Sequence, residues 1–352
     1  MGETKKKAQQ QKEESIKGSV GGQAVIEGVM MKSKDHIAIA VRRESGEIVK
    51  KLKPYKAAKD KHKILNIPII RGFVNFIEMM AMSMSTLNDS AEMLGLDETD
   101  ETSKPKSPGE KTEGSKIMLV ASIVGTVLGL ALSLGLFFVL PTFLGSKITE
   151  ATSFEKGGWF ISLLEMLMRL VIFIAYILLV TLMKDIRRTF EYHGAEHMSV
   201  FCYEAGEELT VENAKKYPRF HPRCGTSFLI VMMLIGFVIS IFIPNFTHFG
   251  FSDTAAYWLR LCVKLAVFPF IIGIGYEFIK YAGKHESALV KIVSAPGLWI
   301  QRLTTKKPDE EQIEVAVLSL RAALKIDPVE EAVEQAVLQK EEEAGNVDES
   351  AN

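Results

Sequence analysis

Two histidines four residues apart, with a glutamate beside the second, stand in the string Glu191-Tyr-His-Gly-Ala-Glu-His197. On a helix His193 and His197 share one face, so both imidazoles can bind a single metal ion. Together with Glu196 they spell H-x-x-E-H, the inverted zincin pattern in which the glutamate is the general base. The bland alternative is a pair of helix-surface histidines at a membrane boundary. Downstream, His221-Pro-Arg-Cys224 places an imidazole and a thiol two residues apart, suitable borderline-soft donors for zinc or iron. Against this, Cys224 can pack as a small apolar group while His221 hydrogen-bonds locally.

Other ionisable residues sit where the surrounding sequence is apolar. Glu277 borders the uncharged run Leu265–Tyr276, and an ionisable group beside such a run is a functional candidate by default. Its alternative is an interfacial pair with Lys280 or Lys284. Glu27 lies between Ile26 and Gly28 with nothing local to neutralise it, so burial there demands a metal, Arg71 or a histidine as partner. His285 follows the last apolar run and falls at the same chain level as the other histidine motifs.

The elements that must position these residues are apolar helices. The hydrocarbon core of a bilayer is about 30 Å thick, and a helix crosses it with roughly 20 apolar residues. Residues 117–146 contain no charge at all. Further runs extend over Trp159–Met183, Gly225–Ile243 and Tyr257–Tyr281. The second holds Glu165 and Arg169, four apart and able to pair; the last holds Arg260, Lys264, Glu277 and Lys280 and could instead be an interfacial or buried helix. Four spans are expected. Lys184, Arg187, Arg188, Lys215, Lys216, Arg219 and Arg223 lie between the second and third, whereas residues 245–256 carry no Lys or Arg. This asymmetry places both termini, and with them both histidine motifs, on the cytoplasmic side of a cell membrane.

Composition agrees with segregated charge: 47% hydrophobic and 24% charged residues, with mean hydropathy +0.14. A net charge of −1 gives no reason to expect nucleic acid. Cys202, Cys224 and Cys262 are too few and scattered for a disulfide framework. The Lys-rich start has no apolar core of a cleavable leader. Residues 1–17 read as disordered, and 18–96 as a cytoplasmic or interfacial module. Within that module, alternation over His36–Val41, a Ser45-Gly46 turn and Glu47–Leu52 predict a small β-hairpin. Ile64–Leu96 reads as an amphipathic helix, interfacial or re-entrant. A polar linker follows over 97–116, then the four-span region 117–295 with its cytoplasmic loop 184–224.

Residues 296–327 bring an interfacial segment with Leu298 and Trp299, then a tail helix. Asp309 and Gln312 form a capping box, and Ile313, Val317, Leu320 and Leu324 one apolar stripe, stopped by Asp327-Pro328. The acidic residues 328–352 read as disordered. The stripe can recruit a protein partner or pack onto the chain itself. Gly125, Gly129 and Ser133 are spaced for close helix packing. A homo-oligomer is among the assemblies this allows. The fold class expected is therefore mainly α: a polytopic helical membrane protein with a small N-terminal β-hairpin and a cytoplasmic C-terminal amphipathic helix.

Five strings in this chain resemble a known family: GGQAVIEGVMM (21–31), IPIIRG (67–72), YHGAEH (192–197), HPRCGTSF (221–228) and PGLWIQRLTTKKPDEEQIEVA (296–316). They resemble the YqhQ-like family of bacterial multi-pass membrane proteins, a family of unknown function regarded as predicted metal-dependent enzymes. The resemblance spans roughly residues 18–325. It implies roles for Glu27, Arg71, His193, Glu196, His197, His221, Arg223, Cys224 and Trp299. Met198 departs from it, since a lysine is expected there.

The reading that follows is a metal-dependent hydrolase at the cytoplasmic membrane face. His193 and His197 bind a divalent transition metal, zinc before others, with His221 or Cys224 as third ligand. Glu196 or Glu27 acts on a water as general base, and Arg71 and Arg223 hold an anionic group such as a lipid phosphate. The competing reading is a non-catalytic membrane scaffold or biogenesis factor whose His/Cys cluster is structural. An ion-coupled transporter is a third, weakened by the wholly apolar first span.

Overall fold

A computed structural model describes residues 20–58, 63–95, 113–151, 159–244, 246–282 and 287–326. The expected disordered ends (1–17 and 328–352), most of the linker over 97–116, the Asp327-Pro328 stop and His285 lie outside these residues. The chain divides into two compact units, one from Met1–Asp97, Leu179–Ile230 and Gly273–Asn352, the other from Glu98–Leu178 and Val231–Ile272.

The first unit is built on four antiparallel strands in meander order: β1 (Gly21–Val25), β2 (Gly28–Lys32), β3 (His36–Arg42) and β4 (Ile48–Pro54). The expected hairpin is thus only the second half of the sheet, β3 with β4 across the Ser45-Gly46 turn. A first hairpin precedes it, closed by Ile26-Glu27, with Glu27 in the left-handed region at φ 47°. Neither residue is a usual turn former, which is why the apolar run over Ala24–Met31 conceals two strands.

Both faces of this sheet are covered, so the alternation expected over His36–Val41 is one of large with small apolar side chains, not of apolar with polar. Val25, Met30, Ile37, Ile39 and Val41 pack against Met82 and Met93 of helix α1 (Ile70–Met93). Val29, Met31, Ala38 and Ala40 face helices α5 (Lys184–Glu204) and α10 (Glu310–Ala323). The edge strand β4 carries Lys51 and Lys53, whose ammonium groups reach Asp89 on α1 at 2.8 and 2.6 Å. Helix α1 starts at Ile70, after Pro68, later than the sequence pattern places it. Its opposite face leaves Ile70, Ile77, Met80 and Met84 exposed.

The capping box of α10 is present: Asp309 Oδ1 accepts from the Gln312 N–H at 2.7 Å, and Gln312 Oε1 accepts from the Asp309 N–H at 3.0 Å. Its stripe is covered by the chain itself, with Ile313, Val317 and Leu320 buried and Leu324 packed beside them. Of the two alternatives the sequence left for that stripe, packing onto the chain itself is the one seen, with the sheet and α5 against it.

Helix α2 (Glu113–Leu134) passes through a π turn at Gly135–Val139 into α3 (Leu140–Ala151). It is followed by α4 (Trp159–Val180), the short α6 (Val211–Ala214), α7 (Gly225–Phe242), α8 (Asp253–Ala282) and α9 (Ala288–Thr304). Four stretches among the described residues are long and apolar enough to cross a membrane: Val124–Ile148, Trp159–Val180, Gly225–Phe242 and Asp253–Ala282. They coincide with the four runs expected from sequence.

Candidate metal centre

The helical repeat of α5 brings the His193 and His197 rings to 4.5 Å between centroids. Cys224 ends the bend before α7, and its Sγ lies 3.2 Å from His193 Nε2. One donor atom from each of His193, His197 and Cys224 lies within 4.8 Å of the other two.

Backbone carbonyls fix how the imidazoles present themselves. His193 Nδ1 is 2.9 Å from the Thr304 carbonyl, and His197 Nδ1 is 2.5 Å from that of Arg219. A carbonyl can only accept, so in each neutral ring the proton sits on Nδ1 and the Nε2 lone pair is left for the shared point. Metal-binding histidines are characteristically oriented in this way. Glu196 Oε2 stands 3.9 Å from His193 Nε2 and 3.7 Å from His197 Nε2, beyond hydrogen-bonding range but at the edge of the same space.

Burial opposes charge on both Cys224 and His193, yet their mutual attraction outweighs it. The thiol is held well below its ordinary range, and His193 is raised to about 9. Without a cation, the 3.2 Å contact is one in which Cys224 Sγ and His193 Nε2 share a proton. A divalent ion would take the place of that shared proton between the same two atoms.

His221 lies beside this trio but faces elsewhere. Its ring is 5.6 Å from that of His197, and its Nδ1 accepts the Arg223 backbone N–H at 3.3 Å. Nε2 therefore carries the proton in the neutral ring; it is buried without a hydrogen-bond partner, 3.6 Å from Glu204 Oε2. Burial and the nearby His197 push His221 down to about 4, so it is neutral at physiological pH. Gln301 of α9 grips the His221 backbone at both ends, donating to its carbonyl and accepting its N–H, each at 2.7 Å.

The remaining charged candidates are held in ion pairs of their own. Arg188 binds the Glu27 carboxylate through Nε at 2.6 Å and Nη2 at 2.5 Å, joined by the Tyr192 hydroxyl at 3.3 Å. Arg71 makes a two-pronged pair with Glu277, its Nε at 2.6 Å. Arg223 pairs with Glu204. Sequence reasoning missed Glu204 and Gln301. The signal for Glu204 was available: it lies seven residues beyond His197, two helical turns along the same face.

Gly194 lets this site form. A side chain there would bring its Cβ within 2.3 Å of the Lys306 carbonyl oxygen and 3.3 Å of Pro308 Cδ. The segment after α9 runs against α5 at this point, its Lys306 N–H donating to the Phe190 carbonyl at 2.8 Å. That approach delivers the Thr304 carbonyl to His193. Gly194→Ala is expected to cost about 1–3 kcal/mol and to lower the midpoint of thermal unfolding. A variant as stable as the wild type would refute the close contact.

Comparison with known proteins agrees with this picture at the level of family. A model described as "Protein of unknown function (DUF1385)" matches residues 67–326, which include every residue of the trio. The chain is similar to "Uncharacterized protein YqhQ" of Bacillus subtilis (strain 168), 34% identical over 313 residues, covering 88% of this chain and 94% of that protein. No solved structure matches. The resemblance carried by the five strings thus extends over most of the length of both proteins, and the chain belongs to the DUF1385 family of unknown function.

Proposed function

We propose that this protein is a metal-dependent hydrolase of the cell membrane, with its centre at His193, His197 and Cys224 on the cytoplasmic side. The observation that carries the reading is the convergence of two imidazoles, each turned by a backbone carbonyl at Nδ1, and the Cys224 sulfur. Zinc suits this donor set, and three protein ligands leave a fourth position for chemistry. A zinc ion bound there would supply Lewis acidity. The chain's own residues do the rest. Glu196, too far from either imidazole to be spent on it, accepts a proton from water entering beside the trio. Glu204 holds Arg223 and faces His221, leaving that neutral ring with a proton to donate. An anionic substrate group would have to compete with Glu204 for Arg223, or with Glu277 for Arg71.

The membrane reading is supported by apolar side chains left uncovered on the long helices, among them Leu128, Leu132, Leu179 and Phe242, at 64%, 64%, 66% and 79% exposure. Lys and Arg between the second and third helices favour cytoplasmic termini. Cysteines introduced at Ser45 and Ser252, in a Cys262→Ser background, test it. An impermeant maleimide on intact cells should label Ser252→Cys and spare Ser45→Cys; the reverse pattern would invert the topology.

The near-complete burial of His197 and Cys224, 2% and 8% exposed, favours one competing reading: a structural metal in a non-catalytic membrane scaffold. Glu196→Gln separates the two. It preserves shape but cannot accept a proton. A hydrolase predicts full metal content, unchanged melting and the cellular phenotype of a deletion strain. A scaffold predicts a silent substitution.

A further inference from the structure

Among its described residues, the second unit gathers three cations about one buried carboxylate. Lys264 on α8 pairs with Glu165 on α4 and donates to Thr142 Oγ1 of α3 at 3.1 Å. Arg169, one turn beyond Glu165, reaches the same oxygen, Oε2, at 3.4 Å. Arg260, one turn before Lys264, is within electrostatic reach of both Glu165 and Arg169. Among the described residues, one carboxylate therefore answers three cations. Lys264 and Glu165 are buried, with side-chain exposures of 7% and 2%.

Two features show the cluster to be incomplete as a purely internal network. Arg260 Nη2 is buried and has no hydrogen-bond partner, while Nη1 has only a long contact, 3.4 Å, to the Ile243 carbonyl. The π turn at Gly135–Val139 also releases backbone acceptors toward the cluster: Arg169 Nε donates to the Phe137 carbonyl at 2.8 Å, and the Tyr257 hydroxyl to that of Val139 at 3.4 Å. Such turns recur at functional positions. They leave the Arg169 fork anchored at one end by a neutral carbonyl rather than by an anion.

Uncompensated cations among apolar helices are costly and call for a counter-charge. A guanidinium presents a planar fork that matches an oxyanion better than a halide. We propose that Arg260, Arg169 and Lys264 form a binding site for a phosphate oxyanion, carried either on a phospholipid headgroup or as free phosphate. The lipid source rests on the membrane reading given above; the metal centre plays no part in it.

The test is titration of the detergent-purified, delipidated full chain with dioctanoyl phosphatidylglycerol and, separately, with inorganic phosphate. Native mass spectrometry reads stoichiometry, and thermal midpoint reads affinity. One bound phosphate group per chain is expected, with affinity at least tenfold weaker in Arg260→Gln and unchanged in Arg302→Gln, an arginine of α9 in the other unit. Lipid binding alone assigns the headgroup, phosphate alone assigns a soluble anion, and binding of both assigns a site that reads only the phosphate. If Arg260→Gln does not fold, Lys264→Met is read instead, since it leaves Glu165 with Arg169. Binding of neither probe, or equal binding by wild type and variant, overturns the site and leaves a structural ion-pair node. Because the titration needs no bilayer, a failed topology experiment and a failed binding experiment are separate results.

Discussion

Alanine at both His193 and His197 should abolish metal retention, from close to one equivalent per chain to none surviving gel filtration. Loss of a single partner behind a ligand costs 10–100-fold in affinity, so removing two of three direct donors should cost at least about a thousandfold. The remaining Cys224 thiol would also lose the His193 ring that lowers its pKa. Elemental analysis of monodisperse protein is the measurement. Wild-type metal content in the double variant would place any bound metal elsewhere. Glu196→Gln, measured in parallel, should keep its metal, since its carboxylate is 3.7–3.9 Å from the imidazole nitrogens. Should the wild type take up no zinc, iron or manganese, the 3.2 Å Cys224–His193 pair would be the chemistry that remains.

The second large effect is expected far from that centre. Leu320 of α10 is fully buried between the sheet and α5. Next to it, the Ser319 hydroxyl lies 2.9 and 3.1 Å from the carbonyl oxygens of Val29 and Ala38. Leu320→Asp removes a core side chain and buries a carboxylate with no cation prepared for it. Either change alone is worth several kcal/mol, and together roughly 4 kcal/mol or more. Cooperative unfolding of the first unit should then be lost or moved to much lower temperature. A variant that melts like the wild type while losing a bound protein would instead show that the stripe faces a partner.

Much of this could be read from residue types alone. Four uncharged or nearly uncharged runs mark the long helices, because length and hydropathy are additive along the chain. The same-face histidines follow from helical periodicity, and Asp309 with Gln312 announces the start of α10. What escaped is what depends on distant backbone or distant sequence. The carbonyls of Arg219 and Thr304 orient the imidazoles, yet every residue has a carbonyl. The bond between Arg71 and Glu277 joins residues 206 positions apart. Expected as anion-binding groups, Arg71 and Arg223 are each occupied by a carboxylate. Glu27, expected near the metal, holds a strand turn in place through Arg188.

The discontinuity of the first unit also bears on how the protein is made. Its sheet is complete by Pro54, but the face that α5 and α10 share is only partly covered until α10 emerges some 250 residues later. At synthesis rates of about 5–20 residues per second, that delay lasts on the order of tens of seconds. During this interval Val29, Met31, Ala38 and Ala40 have no tail helix to cover them, and in the membrane reading every span must be threaded first. A ribosome that stalls before Glu310 leaves a chain whose spans are present but whose sheet keeps part of an apolar face uncovered, the kind of surface that cellular quality control removes. Helix α10 thus completes the cover of a sheet made some 250 residues before it.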